Sequence, residues 1–201
     1  AAAGAAVDVE VTNSVLATEG TFLHGHGVAG RGEEPAPPLK LELRQVACRA
    51  AGGLIYLESV PSEPHLPRVD ADVRDSLLAT TADAAPLFRV DGQDNLDALR
   101  DRIHWEGHGV AYHLIDVYRR DQSTRPGTVP LPFKRSDWEV AVGPREETPF
   151  HGEVKFVTPW HDTRPLWSIV PDDFHVEEGS PAAASCPDLA AIPPPPPLPK
   201  R

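Results

Sequence analysis

The sequence predicts an all-β chain whose strands stack, turn upon turn, as a parallel β-helix solenoid. Three observations lead there. A three-strand pattern recurs at intervals of about thirty residues. The chain is rich in turn formers, with 23 Pro and 15 Gly among 201 residues. No crossover helices separate the repeats, so consecutive parallel strands need a coiled path.

The first strand of each unit alternates apolar and polar residues: Val7-Asp8-Val9-Glu10-Val11, Leu39-Lys40-Leu41-Glu42-Leu43 and Val69-Asp70-Ala71-Asp72-Val73. Period two marks a strand with one buried face. An amide or carboxylate follows at one shared place, Asn13, Gln45 and Asp75, and then a second apolar pair, Val15-Leu16, Ala47-Cys48 and Leu77-Leu78. The third strand of each unit is Phe22-Leu23-His24, Leu54-Ile55-Tyr56 and Leu87-Phe88-Arg89. Residues 103 to 118, with Trp105, Gly107, Gly109, Val110 and Tyr112, read as a fourth, aromatic-rich turn. Turns are thus expected over 7–38, 39–68, 69–102 and 103–128, a C-terminal turn and cap over 129–182, and a disordered Pro-rich tail over 183–201. A β-sandwich also spaces strands regularly, but it gives no reason for a three-strand unit to recur. In this alignment Cys48 falls with Leu16 and Leu78, which makes it a buried, unreactive member of an aliphatic stack.

Length varies after the third strand of each unit, over Gly25–Pro38, Ser59–Arg68 and Asp91–Arg102. Equivalent loops of a solenoid emerge on one side, where a binding ridge is expected.

The segment Asp173-Phe174-His175-Val176-Glu177-Glu178-Gly179-Ser180-Pro181-Ala182 resembles the closing signature of bacterial right-handed parallel β-helix proteins of the pectate-lyase-like superfamily. Upstream, Ser136-Asp137-Trp138, Gly143 and Gly152-Glu153-Val154-Lys155-Phe156-Val157 resemble the helix-plus-strand cap of that family. The family has Asp-Pro where Val154-Lys155 stands here, which puts a remodelled cap in view. The resemblance implies a right-handed β-helix and an extracytoplasmic or cell-surface setting, in a class whose members bind or cleave polysaccharides. It carries over no catalytic residue, since neither the calcium-binding Asp set of the lyases nor the Asp set of the polygalacturonases can be placed on this chain.

Net charge is −11 and the pI is near 5.2, with acidic residues spread throughout. Nucleic-acid binding needs clustered Lys and Arg to neutralise phosphates, and no such stripe exists. No apolar run reaches the roughly 18–20 residues of a membrane span. The absence of Met leads to the expectation of a portion upstream. Three functions follow as expectations: a non-catalytic domain binding carbohydrate or a partner protein through its loops or flat sheet face; the C-terminal part of a polysaccharide lyase or glycoside hydrolase with its active site upstream; or the sensor end of a larger signalling protein. No cofactor is expected.

Candidate ligand-binding residues are His24 and His26, two imidazoles in a Gly-rich stretch at the loop ridge, and Trp105 and Tyr112, which either stack on sugar rings or fill the end of the core. Candidate metal ligands are His104, His108 and His113, in a stretch reminiscent of the H-E-x-x-H zinc motif but with Glu106 one place late. Asp91 and Asp94, with Asp97 nearby, offer calcium-type oxygens in a loop, whereas Asp70 and Asp72 sit on the polar side of an alternating strand.

Overall fold

The structure, a computed structural model, describes residues 6–27, 37–60, 65–80, 85–92, 102–122, 127–142, 145–158 and 168–185. It is predominantly β, with its strands in two stacked, mainly parallel sheets. The first sheet contains β1 (Val7–Thr18), β3 (Leu39–Ala50), β5 (Val69–Ala79) and β7 (Ile103–His113) in that order. The second contains β2 (Leu23–His26), β4 (Ile55–Glu58), β6 (Phe88–Asp91) and β8 (Arg119–Gln122), followed by an antiparallel β9 (Leu131–Phe133). The chain alternates between the sheets, so each strand pairs with its counterpart one unit along. The observed register is the one the repeat predicts: Val7 faces Leu39, Leu39 faces Val69, and Val69 faces Ile103. Likewise Leu23, Ile55 and Phe88 align with Arg119.

The first two strands of each predicted unit form one long strand bent at a corner. The residue there has a left-handed backbone in every unit: Asn13 (φ 47°), Gln45 (φ 53°), Asp75 (φ 45°) and Gly109 (φ 62°). Asn, Asp and Gly tolerate that conformation best, which explains most of the polar residues seen at this place in the sequence. A single such residue swings the chain while hydrogen bonding resumes on both sides of it.

The corner also resets which residues point inward. Before it, Leu41, Ala71 and Trp105 form one inward column. After it, Leu16, Cys48, Leu78 and Tyr112 form another, facing the core between the sheets. The alternate residues Val15, Ala47, Leu77 and Ala111 face out of the first sheet. They are covered by a C-terminal segment carrying Val154, Phe156, Phe174, Val176 and Ala182, which makes a second apolar cluster. Phe156 and Val176 form an antiparallel bridge within this cover. The Asp173–Ala182 segment, read from sequence as a closing signature, therefore contributes part of a 3₁₀ turn (Pro171–Phe174), this bridge and part of a short helix laid over the outside of the sheet.

The end of the inner core beyond β7 and β8 is filled by aromatic rings. Helix α1 (Arg135–Val142) inserts Trp138, which is buried against Phe88, Trp105 and Tyr118 with ring centroids 5.7 to 5.8 Å away. Gly107 lies beside the Trp105 ring, where a Cβ would crowd the indole nitrogen. Two short strands, β10 (Glu146–Glu147) and β11 (Phe150–Gly152), extend the first sheet past β7. In the second sheet, β9 pairs Pro132 with Arg120, and its proline has no N–H to offer a further strand. Residues 28–36, 61–64 and 93–101, where the sequence predicts loops, and 186–201, within the expected Pro-rich tail, lie outside the described residues.

At β8 the inward columns of the second sheet change chemistry. Leu23, Ile55 and Phe88 are followed by Arg119, and Gly25, Leu57 and Val90 by Asp121. Arg119 and Asp121 are 3% and 1% exposed and form an ion pair at 3.1 Å, with the Arg119 guanidinium 4.0 Å over the Phe133 ring. Burial pushes the Asp121 carboxyl up to about 6, the neighbouring guanidinium only partly opposing it.

Two predictions follow from this packing. In a Cys186→Ser background, Cys48 should react with a thiol reagent no faster than the protein unfolds, because its thiol is buried and pushed up to about 12; rapid native labelling would show that the stack has another register. Removing one member of the buried ion pair, as in Asp121→Ala, should cost about 3–5 kcal/mol in a urea titration, since the Arg119 charge loses its buried counter-ion. The double change Arg119→Met with Asp121→Leu should recover most of that loss, and a double variant as unstable as the single one would refute the buried pairing.

Candidate functional site

Outward-facing polar residues of the first sheet line a shallow groove of about 620 Å³ that crosses β1, β3, β5 and β7. Its floor comes from the half of each strand that precedes the corner. Register places Asp8, Lys40, Asp70 and His104 in one column and Glu10, Glu42, Asp72 and Glu106 in the next. Within strands, Arg44 pairs with Glu42, and Arg74 with Asp72 through two nitrogens. Arg68 donates to Asp70 at 2.7 Å. The lining remains strongly acidic, with Asp8, Glu10, Glu42, Asp70, Asp72 and Glu106 against Lys40 and Arg68. Asp70 and Asp72, read from sequence as solvent-facing charge, are part of this floor.

The outward face of the second sheet carries another polar array. His24 aligns with Tyr56, Arg89 and Arg120, and His26 aligns with Glu58, Asp91 and Gln122. His24 and His26 belong to strand β2 and not to a loop. His24 Nε2 lies 3.4 Å and His26 Nδ1 3.7 Å from Glu58 Oε2. The His24 ring stacks on Tyr56 with centroids 4.3 Å apart and an interplanar angle of 13°. Tyr56 donates its hydroxyl hydrogen to Asp91 Oδ2 at 2.9 Å, and Arg89 donates from Nε to the same carboxylate at 3.0 Å while covering the Tyr56 ring. Asp91 is thus a strand residue engaged by Tyr56 and Arg89; Asp94 and Asp97 lie outside the described residues.

The corner at Gly109 separates the three histidines of β7. His104 and His108 face outward before it, His104 in the groove and His108 3.2 Å from Glu147. His113 comes after it, buried under the C-terminal cover, where its Nδ1 accepts the Val154 N–H at 2.9 Å and its ring meets Phe156 edge-on. The chain does not bring these three together as a metal site. Trp105 and Tyr112 are also buried, so neither presents a ring face to a sugar. Trp105 Nε1 donates to the Tyr112 hydroxyl at 3.0 Å, and that hydroxyl donates to Glu146.

This network extends to His151, stacked on Tyr112 at 4.9 Å and hydrogen-bonded through Nδ1 to Tyr118. Burial raises the Glu146 carboxyl, against the hydrogen bonds from Tyr112 and Trp105, and lowers the His151 imidazole to about 4. Protonating His151 is disfavoured in the folded chain, so its contribution to stability is present above about pH 6.5 and lost as pH falls towards about 4. The stability of the wild type relative to His151→Gln, read from urea midpoints, should therefore decline across that window. A difference that stays flat would mean that the imidazole is solvated.

No family model, curated protein or solved structure matches this sequence.

Proposed function

We propose that the chain is a right-handed parallel β-helix of the pectate-lyase-like kind that binds an extended, uncharged or amino-sugar polysaccharide along the groove of its first sheet. Several observations support the architecture. The chain passes from one parallel sheet to the other and back once per repeat. A right-twisted strand returns to its own sheet by a right-handed path in nearly all known parallel crossovers. The corner residues recur once per unit.

The observation that carries the binding reading is the periodicity of the groove. In-register strands repeat the same outward position about every 4.8 Å, a spacing commensurate with one pyranose unit of an extended chain. The column of Glu10, Glu42, Asp72 and Glu106 offers successive sugars the same acceptors, with the Arg44–Glu42 and Arg74–Asp72 pairs holding two of these carboxylates in place. The acidic balance of the lining disfavours polyuronates, whose own carboxylates would be repelled. An extracytoplasmic or cell-surface setting accords with such a ligand. The same acidic balance favours one second reading, an extended basic segment of a partner protein.

A glycan array spanning neutral, amino-sugar and uronate polymers, with an oligolysine peptide alongside, distinguishes these readings. Selective retention of neutral or amino-sugar chains, weakened about tenfold or more in the Glu42→Ala, Asp72→Ala double variant, is the expected result. Binding of the peptide alone, abolished by salt, would establish the second reading. Preference for polyuronates, or no binding to any probe, would overturn the carbohydrate assignment.

A further inference from the structure

We propose that His24, His26 and Glu58 form a binding site for a divalent transition-metal ion of the zinc type on the outward face of the second sheet. Among the described residues they are the one group of three metal-ligating side chains whose donor atoms all lie within 4.8 Å of one another. The backbone brings them together. Residues two apart on a strand share a face, which places both imidazoles of His24-Gly25-His26 outward, and parallel pairing sets Glu58 beside His26.

The spacing suits a tetrahedral ion. A metal about 2.1 Å from each donor separates its ligands by about 3.4 Å. The Glu58 oxygen lies 3.4 Å from His24 Nε2 and 3.7 Å from His26 Nδ1, and the three donor atoms all lie within 4.8 Å of one another, so turning the exposed imidazoles towards each other lets one ion take the place of the contacts now linking them. Two imidazoles and one carboxylate are borderline donors that suit zinc, copper or nickel better than calcium or magnesium.

The surroundings hold the ligands in orientation. Tyr56 stacks on His24, limiting its ring rotation, and is itself fixed by its hydrogen bond to Asp91 and by Arg89 above its face. The Arg89 charge is balanced by Asp91, leaving the Glu58 carboxylate to favour a cation. Gly25, between the two histidines, sits against the inward Leu57 side chain, where a Cβ would be only 3.1 Å from Leu57 Cδ2; the close approach of β2 to its neighbour is thereby preserved. With three protein ligands, side chains 34–61% exposed, the fourth coordination position opens to solvent and is available to water or to a donor from a bound molecule.

Titration calorimetry of the full chain with zinc chloride, paired with visible absorption after addition of cobalt(II), tests this site. One zinc per chain and the intense visible bands of four-coordinate cobalt are expected. Both should weaken at least about tenfold in His26→Ala and in Glu58→Gln, while His108→Ala on the other sheet leaves them unchanged. Circular dichroism verifies that these surface variants fold. Absence of stoichiometric zinc binding by the wild type, or binding and cobalt bands equal to wild type in both His26→Ala and Glu58→Gln, would overturn the proposal, the latter result assigning the metal to other histidines.

Discussion

In-register parallel pairing governs everything else in this molecule. Once Val7, Leu39, Val69 and Ile103 stand beside one another, every later position of a strand inherits a neighbour in the same environment. Inward columns are apolar except where Arg119 and Asp121 pair with each other at the end of the second sheet. Outward columns must place charge next to charge, as Glu10, Glu42, Asp72 and Glu106 do. Two carboxylates about 5 Å apart repel by roughly 1 kcal/mol in water. Each fully buried Leu or Val favours the fold by about 1.5–3 kcal/mol. The inward columns therefore decide the register, and the outward repulsion is a tolerable consequence, further reduced where Arg44 and Arg74 reach back to Glu42 and Asp72.

The corner residues make this economy possible. A long strand with strict alternation would keep one face inward throughout, and the core would have a single wall. A left-handed residue at Asn13, Gln45, Asp75 and Gly109 turns the chain so that Leu16, Cys48, Leu78 and Tyr112 close the inner core from another side. The same turn leaves Ala47, Leu77 and Ala111 pointing out, and they need a cover. Val154, Phe156, Phe174, Val176 and Ala182 supply it, so that apolar clusters lie on both faces of one sheet.

Repeat, register, corner positions and the burial of Cys48 were legible in the sequence because each is a local pattern recurring at fixed spacing. The C-terminal cover was not, since Val154, Phe156, Phe174 and Val176 show no sustained period and acquire a partner only through tertiary contact. The roles of Trp105 and Tyr112 were ambiguous for a related reason. An aromatic ring reads alike whether it meets a sugar or Trp138, and only the position of α1 settles which. The His24, His26 and Glu58 grouping was half visible. His-x-His stands out in the sequence, whereas Glu58 belongs to the next unit and joins it only when the alignment of His24 with Tyr56 is carried two residues further. Arg119 and Asp121 alternate as a polar pair should on an exposed strand; their burial follows from the columns they complete.

The proline in β9 has a consequence for self-association. Stacked sheets grow when the last strand of one copy accepts the first strand of another, and an assembly joined head to tail in that way has no natural end. Among the described residues, the final strand of the second sheet presents Pro132, and the final strands of the first are only two and three residues long. That end is a poor template for a further strand.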